Sequence, residues 1–157
     1  MQYSIINIRN NPNHLDTAAD YFSSKWPVER QVYYDSISDS ISTESNIPRW
    51  YLMLDNETII GSFGLIENDF MVRKDLIPWI CALYVEEHMR DKKLGAMLLE
   101  HARKESKALG FPKLYLCTDH IGYYEKYGWE FFGEEESEFG GNTRVYVVDT
   151  AKQEEFL

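Results

Sequence analysis

Short apolar segments of strand length recur along the chain. Residues 79–85 are the most uniform of them, and their lack of alternation is typical of a strand buried on both faces. A polar turn at residues 55–57 predicts a β-hairpin, and an acidic, glycine-containing segment at residues 134–142 predicts the turn before the last strand. Further segments rich in β-branched and aromatic residues predict strands at 3–8, 50–54, 58–66, 113–118, 129–133 and 144–148.

Apolar residues recur at helical spacing in three other regions. The first covers residues 15–26 and ends at Pro27, and the second covers residues 32–41. The third, residues 94–109, is an amphipathic helix that ends at Gly110. Its apolar face contains Leu94, Leu98, Ala102 and Leu109. A shorter helix is predicted at residues 121–127.

A basic turn, residues 90–96 with the sequence RDKKLGA, lies between the strand at 79–85 and the third helix. A helix N-terminus presents unpaired N–H groups and the positive end of the helix dipole, and nearby cations strengthen its attraction for anions. The turn is therefore a candidate phosphate site. A solvated charged turn leading into an ordinary helix explains the same residues equally well.

Two motifs in register with each other extend this interpretation. The strand ending LYV at residues 83–85 precedes the basic turn, and YEKYGW at residues 124–129 follows the next strand. Both motifs, and the order of the elements over residues 50–148, resemble the GNAT superfamily of acyl-CoA-dependent N-acetyltransferases. The family usually has glycine where Lys93 stands, so this side chain must point away from the pyrophosphate or add a charge to it.

The resemblance implies one N-acetyltransferase domain over residues 1–157, with its cofactor core at approximately 50–148. The implied fold is the α/β (α+β) GNAT fold, with a central, mixed, mostly antiparallel sheet and helices on both faces. One strand–helix–strand unit is parallel and right-handed. Its strands, residues 79–85 and 113–118, are expected to splay apart and leave a slot for the pantetheine arm of acetyl-CoA.

The resemblance also implies where acetyl-CoA, the acyl donor substrate, would bind. Backbone groups at the end of the central strand would bind the pantetheine, and the basic turn would hold the pyrophosphate. The expected cofactor-binding residues are Leu83, Tyr84, Val85, Arg90, Asp91, Lys92, Lys93, Leu94, Gly95 and Ala96.

Acetyl transfer from a thioester needs a donor for the oxyanion and a proton donor for the leaving thiolate. The resemblance assigns the first role to the amide of Val85 and the second to Tyr124. A tyrosine with a pKa of about 10 is protonated at neutral pH. The adjacent Tyr123 is the alternative, and either ring can be a packing residue.

The sequence leaves the general base open. Some relatives carry a glutamate early in the central strand, but residues 79–81 contain no carboxylate. A water chain to solvent is one alternative, and the nearest side-chain candidates are Asp75, Asp119 and His120.

In the family pattern the first two helices select the acceptor. Aromatic residues at helical spacing are also typical of a packed core. The candidate acceptor-site residues are Trp26, Glu29, Tyr33 and Tyr34, together with Trp79 in the central strand.

The acidic composition narrows the choice of partner. A net charge of −10 and a pI near 4.8 argue against nucleic acid. They are compatible with a cationic acceptor such as a polyamine, an amino sugar or a basic peptide end, and equally with a charge that only maintains solubility. Exposed strand edges and an aromatic content of 15% are compatible with a homodimer.

The two cysteines, Cys81 and Cys117, are expected to be free thiols. Cys117 and His120 lack a second ligand pair with zinc-like spacing, so no metal is expected. We find no apolar run of about 18 residues that predicts a membrane span, and no signal-peptide pattern. A cytoplasmic protein that does not bind membranes is therefore expected.

Together, these features predict an enzyme that moves an acetyl group from acetyl-CoA to a primary amine of a small molecule or protein, by direct attack in a ternary complex. The alternative is a non-catalytic module that binds acyl-CoA or a protein. Lys93 and the missing base favour the module. Tyr124, which falls on the tyrosine position of the family motif, favours catalysis. The sequence does not identify the acceptor.

Overall fold

A computed structural model describes residues 3–151 of the chain. Its strands are β1 (Tyr3–Asn7), β2 (Arg49–Asp55), β3 (Thr58–Ile66), β4 (Trp79–Val85), β5 (Lys113–Thr118), β6 (Glu130–Glu136) and β7 (Asn142–Asp149). Its helices are α1 (Leu15–Lys25), α2 (Arg30–Ser42) and α3 (Leu94–Ala108). Short 3-10 turns occur at Ile8–Asn10, Pro12–His14, Glu87–Met89 and Tyr124–Tyr127.

The strands form one mixed sheet in the order β1-β2-β3-β4-β5-β7-β6. Only β4 and β5 pair in parallel among the described strands, and α3 connects them. The expected fold class is confirmed.

Helices cover both faces of the sheet, which explains why its central strands are apolar on both sides. In β2, Tyr51 and Met53 belong to the core cluster that also contains the apolar face of α3. The alternate residues Trp50, Leu52 and Leu54 belong to the cluster formed with α1 and α2. Successive side chains of a strand point to opposite faces, so this one strand contributes to two cores.

The parallel strands β4 and β5 separate soon after they begin to pair. Within the described residues their register contains one pair, Trp79 with Tyr115. Beyond it, Ala82 has φ 52°, and the pairing of β4 with β3 shifts between Ser62 and Gly64. The Ser62 hydroxyl donates a hydrogen bond to the Ala82 carbonyl at 3.0 Å, which supports the bulge. The sheet therefore opens between the C-terminal halves of β4 and β5.

Most predicted boundaries shift by one or two residues, and two predicted elements differ more from the structure. Strand β6 continues to Glu136, so the first part of the predicted turn at 134–142 is strand. Its acidic side chains are tolerated because β6 is an edge strand, and Glu134 lies opposite Arg144 of β7 in the strand register. The predicted helix at 121–127 is only a 3-10 turn over Tyr124–Tyr127, followed by Gly128 at φ 84°. The terminal residues 152–157 lie outside the described part.

The loop between β3 and β4 is fixed to the β6–β7 hairpin. The Val72 amide donates to the Glu136 carbonyl at 3.0 Å, and the Glu138 amide donates to the Phe70 carbonyl at 2.8 Å. Lys74 Nζ also lies 2.5 Å from a Glu138 carboxylate oxygen. The loop is therefore held across one end of the sheet.

Candidate active site

The start of α3 has the backbone shape expected of a glycine although the residue is a lysine. Lys93 is the N-cap at φ 62° and ψ 23°, in the left-handed region that glycine adopts most easily. Asp91 also has a positive φ, 72°. Lys93 makes no side-chain capping hydrogen bond, so the first turn of α3 keeps N–H groups for another acceptor.

A cleft of about 620 Å³ lies at this helix start, and we call it the cofactor cleft. All the predicted cofactor-binding residues except Lys92 line it. Lys92 is exposed and lies outside the lining. The remaining wall is aromatic and includes Tyr123, Tyr124, Tyr127, Trp26 and His120.

Two side chains shape the cofactor cleft. Arg90 Nε donates a hydrogen bond to the Val85 carbonyl at 3.0 Å, and its guanidinium lies 5.4 Å from the centre of the Tyr84 ring. On the other side, a Cβ at Gly95 would lie 2.6 Å from the Tyr123 hydroxyl oxygen. Glycine at this position lets the tyrosine hydroxyl approach the helix start.

A second space, of about 250 Å³, lies between the diverging strands β4 and β5, and we call it the wedge cavity. Tyr124 lines both the wedge cavity and the cofactor cleft. Burial, together with the nearby Tyr123 and Cys117, raises the pKa of Tyr124 to about 12. Its hydroxyl is therefore a persistent hydrogen-bond donor at the junction of the two spaces.

Hydrogen bonds fix the segment that carries Tyr124. Glu125 accepts from the Gly122 amide at 2.9 Å and from the Tyr146 hydroxyl at 2.8 Å. Arg144 Nη2 in turn donates to the Tyr146 hydroxyl at 2.8 Å. The hydrogen bond from Tyr146 lowers the pKa of Glu125, so this carboxylate stays ionised at neutral pH. Tyr124 is thus joined to β7 through its neighbour.

The third space, of about 860 Å³, lies between α1, α2 and the loop after β3, and we call it the apolar cavity. Trp26, Tyr33, Trp50, Phe70 and Phe139 form most of its aromatic wall. It shares with the wedge cavity the residues Trp26, Asp69, Cys81 and Ala82. The three spaces therefore adjoin one another in the order cofactor cleft, wedge cavity, apolar cavity.

The three side chains predicted as alternative bases are not brought together. Asp75 is exposed and bonded to Arg73 at 2.7 Å, and this bond lowers the pKa of Asp75 to about 2. Neither Asp75 nor the exposed Asp119 lines any of the three spaces. His120 lines the wedge cavity and the cofactor cleft.

The predicted acceptor-site residues also lie in different parts of the structure. Trp26 lines all three spaces, and Tyr33 lines the apolar cavity. Glu29, at the N-cap of α2, is exposed and lines none of the three spaces. Tyr34 is partly buried and also lines none of them. Trp79 is fully buried, with its indole N–H bonded to the Leu76 carbonyl at 2.7 Å, so its side chain is a core residue.

Sequence reasoning passed over Asp69, which among the residues that the structure describes is the one acidic side chain shared by two of the spaces. It is half-buried, and the Cys117 thiol donates to its Oδ2 across 3.4 Å. Burial raises the pKa of Asp69, against the weaker opposite effect of the thiol hydrogen bond. In the sequence, the only signal that could have identified Asp69 is its position in a polar loop before the central strand.

Within residues 3–151 we find no group of three or more His, Cys, Asp or Glu side chains arranged to hold a metal ion. None of the helices in this range is both long and apolar enough to cross a membrane.

Comparison with solved structures supports the fold. An aminoglycoside 6′-acetyltransferase type Ii is 22% identical, with 98% of this chain and 99% of that chain covered and a TM-score of 0.70. An aminoglycoside 6′-N-acetyltransferase complexed with coenzyme A is 18% identical, with the same coverage and TM-score. A GNAT acetyltransferase from Elizabethkingia anophelis with acetyl-CoA bound is 17% identical, with coverages of 94% and 98% and a TM-score of 0.62.

At these identities the structural likeness shows a common fold and does not extend to the acceptor. No curated protein matches the sequence significantly. The family model of the Acetyltransferase (GNAT) family matches residues 13–129, which include α1, the central strand, the start of α3 and Tyr124. The chain therefore belongs to the GNAT family of acetyltransferases.

Proposed function

We propose that this protein transfers an acetyl group from acetyl-CoA to a primary amine, by direct attack in a ternary complex. The observation that carries the proposal is that the three spaces are adjacent and share lining residues, with Tyr124 where the cofactor cleft meets the wedge cavity. A donor in the cleft and an acceptor in the apolar cavity would meet between β4 and β5.

The cofactor cleft suits the acyl donor chemically. The N–H groups at the start of α3 and the guanidinium of Arg90 would hold the pyrophosphate. The diverging end of β4, including the backbone of Val85, would bind the pantetheine amides as a neighbouring strand would. When bound, acetyl-CoA supplies the thioester whose acetyl group is transferred.

The transfer step needs a donor for the oxyanion, an acceptor for the amine proton and a donor to the departing thiolate. The neutral amine nitrogen forms a bond to the thioester carbon, and the amide of Val85 would stabilise the oxyanion. The carbon–sulfur bond then breaks, the amine proton leaves to a base or to water, and the thiolate receives a hydrogen bond from Tyr124. Because a thiolate with a pKa of about 8.5 is less basic than this tyrosinate, we infer that Tyr124 mainly stabilises the developing charge.

A thermal-shift titration with acetyl-CoA tests donor binding, with free CoA and ATP as controls. A ligand at about 100 times its Kd stabilises a protein by roughly 2.7 kcal/mol, which is several degrees of Tm for a domain of this size. We expect a clear shift with acetyl-CoA and a smaller one with ATP. The absence of any shift at saturation would contradict the proposal.

Thiol release distinguishes the enzyme from a non-catalytic acyl-CoA-binding module. An enzyme releases one CoA thiol for each amine acetylated, whereas the module binds acetyl-CoA without an amine-dependent release. The left-handed backbone of Lys93 preserves the turn that the expected glycine would form, so it supports acetyl-CoA binding under both alternatives, and the thiol-release assay decides between them.

A further inference from the structure

We propose that the acceptor is a primary monoamine on an apolar body, and that the Asp69 carboxylate binds its ammonium group and then accepts its proton. This inference rests on the proposed acetyl transfer and deepens it. It concerns a residue that sequence reasoning did not select and a cavity that lies away from the cofactor cleft.

The wall of the apolar cavity indicates the body of the acceptor. Tyr33 and Trp50 meet edge to face at 5.9 Å, and the exposed Phe70 and Phe139 rings pack against each other at 5.0 Å. Val32 adds an aliphatic side chain that is half exposed. Rings and aliphatic groups of this kind stabilise an apolar ligand body by burying its surface.

Two polar side chains of the same wall, Ser36 and Asn68, already have partners. Ser36 Oγ accepts a hydrogen bond from the Trp50 indole at 2.9 Å. The Asn68 side chain accepts from the Met71 amide at 2.7 Å and donates to the Arg73 carbonyl at 2.9 Å, so it shapes the loop. A hydroxyl-rich ligand would gain no hydrogen bond from groups that are already paired, so it would lose some of its hydrogen bonds to water without replacement, which is costly.

Two carboxylates of the described residues line the apolar cavity, the exposed Glu67 and the half-buried Asp69, and of these two Asp69 also lines the wedge cavity. Asp69 is therefore the carboxylate placed to bind the amine where transfer occurs. The thiol that contacts its carboxylate is a weak donor and leaves most of its acceptor capacity unused. Neither the apolar cavity nor the wedge cavity is lined by a lysine or arginine of the described residues. A cationic ligand would supply the missing countercharge.

The position of Asp69 suits a proton acceptor. It lines the wedge cavity together with Tyr124, and it lines the apolar cavity, which Tyr124 does not reach. An ammonium group at Asp69 would therefore lie where the acetyl group must arrive. Loss of one proton to the carboxylate leaves the neutral amine that attacks the thioester.

Three of the titratable groups around Asp69 stay neutral near pH 7. Burial raises the pKa values of the Cys81 and Cys117 thiols and of the Tyr33 hydroxyl, so these groups stay neutral near pH 7. The other titratable side chains that line either cavity are Glu67, Tyr124 and His120. Burial also raises the pKa of Asp69 itself, which makes its carboxylate a stronger base.

The experiment measures amine-dependent thiol release with phenethylamine and hexylamine as apolar monoamines, and with kanamycin and spermidine as polar polyamines. It compares the wild type, Asp69→Asn and the matched control Asp39→Asn. Asp39 is an exposed carboxylate on α2 that lines none of the three spaces. Acetyl-CoA affinity is measured for each protein by titration.

We expect the wild type to acetylate the apolar monoamines with a higher kcat/KM than the polyamines. Asp69→Asn should lower kcat/KM for phenethylamine by about 100-fold or more, the usual effect of losing a general base. The acid limb of the pH profile should disappear with it, while acetyl-CoA affinity and the Asp39→Asn rate stay at wild-type values.

Stability separates a catalytic role of Asp69 from a structural one. Its pKa in the folded protein lies above the ordinary value of 3.8, so its favourable contribution is complete below that pH and is lost as the pH rises through the folded pKa. At neutral pH, Asp69→Asn should therefore keep or raise the Tm.

An exposed-site variant, Val32→Lys, should raise the KM for phenethylamine and leave the KM for acetyl-CoA unchanged.

Several results would overturn the inference. These are a wild-type rate in Asp69→Asn, an unchanged acid limb, or a preference for kanamycin or spermidine. Failure of the proposed function itself would look different, because none of the four amines would then be acetylated, whether or not acetyl-CoA binds.

Discussion

Lys93 shows how one residue can depart from a family pattern without changing the local backbone. A lysine in the left-handed region is strained by about 1–2 kcal/mol, because its Cβ crowds the following carbonyl. The observed φ of 62° and ψ of 23° show that the turn keeps this shape. The strain is confined to the residue that begins α3.

Lys93→Gly should therefore stabilise the protein. The relieved strain exceeds the extra chain entropy of glycine in the unfolded state, about 0.5–1 kcal/mol, by up to about 1 kcal/mol. Thermal unfolding should show a Tm unchanged or higher by a few degrees. Lys92→Gly is the matched control, because Lys92 lacks a positive φ, and it should be destabilising. A lower Tm for Lys93→Gly than for Lys92→Gly would contradict this account.

Tyr124 is the second residue whose effect is specific. Tyr124→Phe should lower kcat by about 10- to 1000-fold and leave the affinity for acetyl-CoA nearly unchanged, because the hydroxyl acts on the departing sulfur. Steady-state thiol release and a binding titration measure the two quantities. Tyr115→Phe, which removes a hydroxyl outside the three spaces, should retain the wild-type rate. A wild-type kcat in Tyr124→Phe would exclude Tyr124 as the hydrogen-bond donor to the departing sulfur.

At the scale of elements, the start of α3 and the end of β4 act together. Arg90 connects them through its hydrogen bond to Val85 and its position over the Tyr84 ring. The guanidinium and the helix N-terminus lie on the same cleft, so both would attract the same anion. Neither element alone would make an equivalent site.

Arg90→Glu should weaken acetyl-CoA binding by placing a negative charge at the cleft. The loss should shrink at high salt, because exposed charges are screened over about 10 Å at 0.1 M ionic strength. Titrations at low and high salt measure the effect. The control Lys107→Glu makes the same change of charge at the exposed far end of α3 and should bind acetyl-CoA as the wild type does. Unaltered affinity in Arg90→Glu would mean that the basic turn is not the phosphate site.

At the scale of the whole molecule, distant segments complete the apolar cavity. Trp26 comes from the end of α1, Asp69 and Phe70 from the loop after β3, and Phe139 from the β6–β7 turn. The hydrogen bonds between that loop and the hairpin place Phe70 beside Phe139. This part of the cavity wall therefore depends on the contact between the loop after β3 and the β6–β7 turn.

Phe139→Ala should raise the KM for an apolar amine without loss of stability. The ring is 77% exposed, so its removal costs little in folding, but it would cover a ligand in the cavity. An aromatic contact of about 0.5–1.5 kcal/mol corresponds to a KM change of roughly 2- to 13-fold. Kinetics with phenethylamine and a Tm measurement test this, with the exposed Phe132→Ala, outside the cavity, as control. An unchanged KM would exclude Phe139 from the acceptor site.

Local patterns in the sequence were enough to predict much of the fold. The apolar run at Trp79–Val85, the amphipathic pattern of α3 and the order of elements all agree with the structure. These features depend on contacts within one element or between consecutive elements. The basic turn and Tyr124 were also recognisable, because each belongs to a contiguous motif.

Only the tertiary structure decided which polar residues share a space. Asp69 and Asp75 lie in the same loop, yet Asp69 reaches the wedge cavity beside Cys117 while Asp75 pairs with Arg73 in solvent. Trp26 and Trp79 are both tryptophans, but one lines three cavities and the other is buried in the core. Burial and proximity depend on segments far apart in the chain, and the composition of one segment does not encode them.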